Sequence, residues 1–326
     1  MSLWGPCAIP ILGATPHREV FPLLFFSLFL KKMTANRILA LSSMTAAITP
    51  NGSARPLATI AKQGDNKLMP RSSVYSALIL RTRASGESNR DAWMLTAEEG
   101  ILRATVFGGP KSKLRSHAAP FHSGRVWIYH DPVRDTRKLS DFDVLSWRPG
   151  LRELYERAMT ADAIAETILA THGGGGNWEA ALALAEPALD ALETANEEFC
   201  TRIFIQFLWR WAAFLGIQPQ AEQCAHCGEQ AQADAIMLYS SADNALCCAA
   251  CVQAGAHDEI ENAAGASSGF MQINPGCRRW LLTAAAHAPA DMGRYTMDAK
   301  TLREAKLLTQ ALVAAALGRR PASWDW

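Results

Sequence analysis

Residues 224–251 read CAHCGEQAQADAIMLYSSADNALCCAAC. Two Cys-x-x-Cys pairs, Cys224/Cys227 and Cys248/Cys251, are separated by twenty residues, and Cys247 directly precedes the second. A two-residue gap lets both thiols of a pair reach one ion, and four thiolates complete the closed tetrahedron of a structural zinc site. The spacing lies at the edge of the range that reads as such a site. Gly228, just after the first pair, relaxes the tight turn this backbone must make. A redox dithiol is the weaker alternative, because two matched pairs suit metal binding better than exchange. Catalytic zinc needs an open coordination position and a nearby base, and no HExxH motif is present. His226 could replace a thiol, but four cysteines already fill the shell. Cys247 either competes with Cys248 or is buried. The expectation is one structural Zn2+ per chain, held by Cys224, Cys227, Cys248 and Cys251, with function lying elsewhere.

Composition supports that choice. Eight cysteines in 326 residues are few for a secreted disulfide scaffold, and four of them sit in the paired knuckles, which points to a reducing compartment. The formal net charge of +1 is uninformative, but its distribution is not. Residues 71–150 carry 13 Lys/Arg against 8 Asp/Glu, whereas residues 151–223 carry 4 against 11. A basic module joined to an acidic one suggests a different partner for each.

Upstream, FPLLFFSLFLKK (21–32) belongs to an apolar run from Val20 to Leu30, far shorter than the roughly 20 residues a spanning helix needs. Lys31 and Lys32 follow the run, where a signal peptide would carry its charge in front. Residues 1–70 are therefore expected to be an extension, disordered or a non-native start, with Met33, Met44 or Met69 as internal starts. Residues 34–72, rich in Ser, Thr, Pro, Gly and Asn, read as linker. The expected location is the cytoplasm, associated with the nucleoid.

From Val74 the texture changes to short strand-like runs: SVYSALILRTR, RDAWMLTAEEG, ILRATVFGG, RVWIYHD and LSDFDVLSW. Five runs within 71–150 suit a small barrel, and the five-stranded OB-fold fits the count. Helical periodicity follows over 151–172, 177–195 and 196–216, and again near 275–288 and 298–318, with Pro187 expected to bend or divide the second helix. Gly173–Gly176 has no following Lys-Ser/Thr and reads as a connection rather than a phosphate loop. The fold class is α+β and multidomain: a barrel over 71–150, a helical domain in two parts (151–223 and 253–326), and a four-cysteine module (224–252) inserted between them.

The run ALILRTRASGESNRDAWMLTAEEGILRATVFGGPKSKLRSHAAPF (77–121) resembles the N-terminal OB domain of the RecO family of bacterial recombination mediators. The matching features are Gly86-Glu87-Ser88, the turn from Thr96 to Gly100, and the loop from Gly108 to Ser112. In that family a helical domain interrupted by a four-cysteine zinc module follows. The resemblance covers about residues 74–318. Phe107 stands where the family usually has a basic residue, the Gly-to-Lys-Ser loop is two residues shorter, and RPASWDW departs from the family's usual end. The resemblance implies a non-enzymatic protein that binds single- and double-stranded DNA and anneals complementary strands. It also implies work with RecR, sometimes RecF, and with the tail of single-strand DNA-binding protein to load recombinase. The rival readings are a zinc-ribbon nucleic-acid-modifying enzyme and a thiol-based sensor; no nucleophile–base pair or nucleotide loop supports the first.

Candidate DNA contacts are Lys111, Lys113 and Arg115, beside glycines that let backbone approach a phosphate, with Arg81, Arg83 and Arg103 extending the track. Trp93, Phe107, Trp127 and Tyr129 are candidate stacking residues. On the helix over 201–215, Phe204, Phe207, Leu208, Trp211 and Leu215 form one apolar face. Phe207 and Trp211, with Arg202 and Arg210 as a basic rim, would make a groove for an acidic, aromatic partner tail.

Overall fold

The structure, a computed structural model, describes residues 71–109, 111–255 and 269–325; the extension expected over 1–70 lies outside the described residues. Strands β1 (Ser72–Ser85), β2 (Asn89–Thr96), β3 (Gly100–Val106), β4 (Ser123–Asp131) and β5 (Thr136–Ser146) close in the order β1-β2-β3-β5-β4. β1 pairs antiparallel with both β2 and β4. The barrel closes through a short parallel pairing of β3 with β5, Thr105 opposite Lys138 and Val106 opposite Leu139. With the one-turn helix α1 (Lys113–His117) between β3 and β4, this is the OB-fold. Each of the five strand-like runs lies on a strand of the barrel.

The period-two alternation explains how the barrel is filled. Ile79, Met94, Leu102, Val126, Ile128 and Phe142 point inward and form a core of their own. Leu78, Leu80 and Leu95 point outward, yet they too are buried, because the helical domain covers that side. The β2–β3 turn is tied by Thr96, whose Oγ1 donates to the carbonyl of Gly100 at 2.9 Å and accepts from the amide of Glu99 at 3.1 Å. That pair of bonds is the physical reason for the Thr-x-x-x-Gly spacing.

The helical domain contains α2 (Tyr155–Ala170), α3 (Trp178–Leu192) and α4 (Glu197–Phe214) before the cysteines. After them come α5 (Ala249–Gln253), α6 (Pro275–Ala286) and α7 (Ala299–Leu317). Four helices begin at Asx caps: Asn177, Asn196, Asn274 and Asp298 accept from the amides of Ala180, Phe199, Cys277 and Thr301. Pro187 does not divide α3, which runs unbroken from Trp178 to Leu192. The proline and Ala183, the residue whose carbonyl loses its partner, are both exposed, so water satisfies the freed acceptor. α4 is the central helix and packs against α2, α3, α6 and α7.

Between α4 and α6 lies a three-stranded sheet in the order β7-β6-β8, formed by β6 (Met237–Ser240), β7 (Ala245–Cys248) and β8 (Phe270–Ile273). Met237, Tyr239, Leu246 and Ile273 of this sheet belong to the same core as the helices. Near the chain's end Trp324 is fully buried, edge-on to Phe204, and donates from Nε1 to Thr167 Oγ1 at 3.2 Å.

The barrel and the helical domain meet at Arg148, a buried residue in the left-handed region (φ 45°). Its guanidinium donates to Asp190 at 2.6 Å, to the carbonyl of Phe121 at 2.8 Å and to Ser123 Oγ at 3.1 Å. Among the described residues no helix is long and apolar enough to cross a membrane.

Candidate metal centre and nucleic-acid interface

The sequence places Cys224 and Cys227 on a loop and Cys248 and Cys251 at the end of β7 and in α5, and the fold brings all four together. Their sulfurs lie within 4.8 Å of one another. The Cys227 and Cys248 sulfurs are 4.0 Å apart, close to the roughly 3.8 Å edge of a tetrahedron with 2.3 Å metal–sulfur bonds. The first knuckle is a tight turn in which the amide of Gly228 donates to the carbonyl of Cys224 at 2.9 Å. Gly228 takes φ +72° there, a conformation other residues resist. Isolated Gln223–Gln230 pairing closes this turn at its base, and the bond from Ala225 N to Leu246 O (2.9 Å) fastens it to β7.

Electrostatics favour a thiolate at Cys224, whereas the Cys227 and Cys251 thiols are held above their ordinary value. Burial pushes the Cys224 thiol up, but the backbone amides of Cys227, Cys248 and His226 outweigh it and bring the group down to about 6. One of these, the amide of Cys248, donates to Cys224 Sγ at 3.3 Å. The donor set, four sulfurs with amide support and no carboxylate among them, fits a structural thiophilic ion. Cys247 takes no part: it is buried in the core, and burial holds its thiol up at about 11.

The basic segment lies at the barrel end where β3 leads into α1. Ser112 donates its amide to Gly109 O at 3.0 Å, closing a turn that presents Lys111 to solvent. Gly108 has φ +121°, and a Cβ there would meet Ser112 at 2.7 Å, so the close approach requires glycine. Lys113 is exposed, while Arg115 is half-buried and donates to the carbonyl of Ser88 at 3.4 Å, linking α1 to the β1–β2 turn. The segment expected as a loop is thus half helix, from Lys113 onward.

Arg81, Arg83 and Arg103 fall elsewhere, on the outer face of β1–β3, around Trp93. Trp93 stands opposite Arg81 on β1 and Arg103 on β3. The Arg83 and Arg103 guanidiniums lie 6.0 and 5.2 Å from its ring centre. Arg103 also pairs with Asp91 at 2.5 Å, and Thr105 donates to the same carboxyl at 3.0 Å. Burial of Asp91 raises its carboxyl, but these partners outweigh burial and hold it below the usual range. Arg81 lines a 280 Å³ cleft with Asp162 and Glu166 of α2, and its charge acts on both. It is therefore partly neutralised. The other stacking candidates differ in exposure: Phe107 is exposed with Lys138 5.2 Å from its ring, while Trp127 and Tyr129 are half-buried.

The apolar face proposed for a partner groove is corrected by the structure. Phe207 and Trp211 are buried in the helical core, with stacked rings 5.3 Å apart. Arg202 is buried as well, donating to the carbonyl of Tyr295 at 2.9 Å, so it forms no rim. The reason is the position of α4: its middle is enclosed on every face, residues 202–209 all being buried, Trp209 on the other face included. Only Arg210 reaches a surface cleft, about 440 Å³, which it lines with Ala180, Ala183, Leu184, Ala213 and Phe214.

Fold and cluster together define a two-part protein, an OB barrel joined to a helical domain that carries a four-thiol centre. The chain belongs to the RecO family: the family description "Recombination protein O N terminal" matches residues 69–147, and "Recombination protein O C terminal" matches residues 152–325. It is similar to the DNA repair protein RecO of Pelotomaculum thermopropionicum, 28% identical over 208 residues, which are 63% of this chain and 77% of the relative. The DNA repair protein RecO of Desulforudis audaxviator is 26% identical over 253 residues, covering 76% of this chain and 92% of that one. For the Bacillus subtilis DNA repair protein RecO the figures are 27% over 180 residues, 54% and 67%.

Proposed function

We propose that the chain is a recombination and repair mediator that acts by binding rather than by catalysis. It holds single- and double-stranded DNA, anneals complementary strands, and helps load recombinase onto DNA coated by single-strand DNA-binding protein, in the cytoplasm and together with RecR, sometimes RecF. The observation that carries this reading is the barrel's outer face, where Trp93 is flanked by Arg83 and Arg103, with the Lys111–Arg115 segment at the barrel's end. An aromatic ring among cations suits sequence-tolerant contact with bases and phosphates. Residues 71–150 are the DNA-binding module, and 151–223 with 253–326 form the helical module. Residues 224–252 hold one structural Zn2+ through Cys224, Cys227, Cys248 and Cys251. That ion would fasten the loop 224–228 to β7 and α5; it takes no part in binding chemistry. The apolar cleft rimmed by Arg210 is the place for the acidic, aromatic tail of single-strand DNA-binding protein, since an apolar floor with one cation matches that composition. Annealing of complementary oligonucleotides, with and without single-strand DNA-binding protein, tests the reading: acceleration in both cases is expected, and no acceleration in either overturns it.

A further inference from the structure

The sequence directs attention to Trp93, Phe107, Trp127 and Tyr129, but another aromatic side chain touches the helix of the basic segment: Trp147, which follows β5. Its indole lies edge-to-face against His117 at the end of α1, with ring centres 5.1 Å apart, and against His122 at 4.9 Å. Both histidines are themselves tied down. His117 Nδ1 lies 3.0 Å from the carbonyl of Phe142, and His122 Nδ1 lies 2.8 Å from the carbonyl of His117. Trp147 is therefore held in place, and yet it is 45% exposed. A large ring fixed at the surface has already lost the freedom that binding would otherwise cost it.

Its surroundings are cationic. α1, which supplies His117, also carries Lys113 and Arg115, and Lys111 precedes it. Beside His122, Arg152 is exposed, anchored by its bond to the carbonyl of Pro120 at 3.3 Å, with His122 Nε2 3.5 Å from the same nitrogen. Glu153, the adjacent acid, is paired with Arg157 at 3.7 Å. A fixed aromatic surface whose two histidine neighbours each adjoin basic residues has the composition that binds an unpaired base with its flanking phosphates. A duplex offers only phosphates to such a surface, because its bases are stacked on one another.

We propose that Trp147 is a stacking residue for an unpaired base of single-stranded DNA, with Lys111, Lys113 and Arg115 on the phosphates at one side and Arg152 on the other. This gives the barrel end a preference for single strands. It rests on the proposed function, since it presupposes that the chain binds DNA.

The test compares a fluorescein-labelled oligo-dT with a blunt duplex of random sequence, on the full chain and on Trp147→Ala and Trp147→Phe. Trp147→Ala is expected to weaken oligo-dT binding about tenfold and to leave duplex binding unchanged, and Trp147→Phe is expected to restore most of the loss. Equal weakening toward both ligands would show a structural role and overturn the proposal. Unchanged affinity toward both, while Lys111→Glu/Arg115→Glu weakens binding, would overturn it and leave the proposed function standing. Absence of any oligonucleotide binding by the unaltered chain would overturn both. Should Trp147→Ala not fold, photocrosslinking of 5-bromodeoxyuridine-substituted oligo-dT to the unaltered chain decides: a crosslinked peptide containing Trp147 supports the proposal, and crosslinks confined to other peptides refute it.

Discussion

Arg148 donates from Nε to Asp190 across 2.6 Å, and this pair fastens the end of β5 to α3. The two partners are unequal: the arginine side chain is 2% exposed, whereas that of the aspartate is 58% exposed. Arg148→Ala should cost about 2–3 kcal/mol, since it strips bonds from the buried carbonyl of Phe121 and from Ser123. Asp190→Ala should cost about 1 kcal/mol or less, because water screens that carboxylate and the remaining bonds still hold the guanidinium. Urea unfolding of both variants measures the difference, and equal losses would contradict it.

The four-thiol site is expected to hold about one zinc per purified chain, measured by elemental analysis. Cys224→Ser or Cys251→Ser should lower soluble yield and thermal stability together, because metal affinity here is folding free energy. Cys247→Ser should leave zinc content unchanged, since that thiol points into the core.

Lys111→Glu with Arg115→Glu should weaken binding of oligonucleotides of any sequence alike. If both side chains contact phosphates, each removes roughly 0.7 to 0.9 from the slope of log K against log salt. Titration at several salt concentrations reads the slope directly; unchanged affinity and slope would mean the segment is only a solvated turn.

His122 makes the barrel end sensitive to acid. Burial disfavours its imidazolium and outweighs the opposing bond to the His117 carbonyl, and the nearby charges of Arg152, His117 and Arg148 act in the same direction as burial. Its folded value therefore lies below the ordinary one of about 6.5. The neutral ring contributes stability above that value, and the contribution is lost as pH falls through the lower folded value. His122→Asn should therefore flatten the fall in unfolding midpoint between about pH 7 and pH 5.

Trp324→Ala should cost about 3–5 kcal/mol by chemical denaturation, since it empties a large buried site beside Phe204 and leaves Thr167 without its donor.

Much of this architecture was legible in the sequence. Five short strand-like runs marked the strands of the barrel, and helical periodicity of the apolar residues marked the longer helices. The cysteine spacing alone indicated the four-thiol cluster. What escaped did so for physical reasons. β6, β7 and β8 are four residues each, too short to show alternation. The stripe of Phe207 and Trp211 looked like one face of a helix, but the middle of this central helix is enclosed on every side, which periodicity cannot reveal. Arg148 stands directly before Pro149 and Gly150, a context that gives no hint of its burial. Trp147 was unremarkable in sequence, because its two histidine neighbours come from 25 to 30 residues earlier in the chain.

Leu78, Leu80 and Leu95 face out of the barrel and into the helical core. The barrel is thus not a portable cassette: cut free near residue 148, it would carry a sticky apolar strip on the flank that the helices now shelter. Attempts to transplant it into another protein, or to dissect its DNA contacts in isolation, would study a molecule prone to self-association. Exchange of this module between proteins, in the laboratory or over evolution, must therefore bring its helical neighbour along.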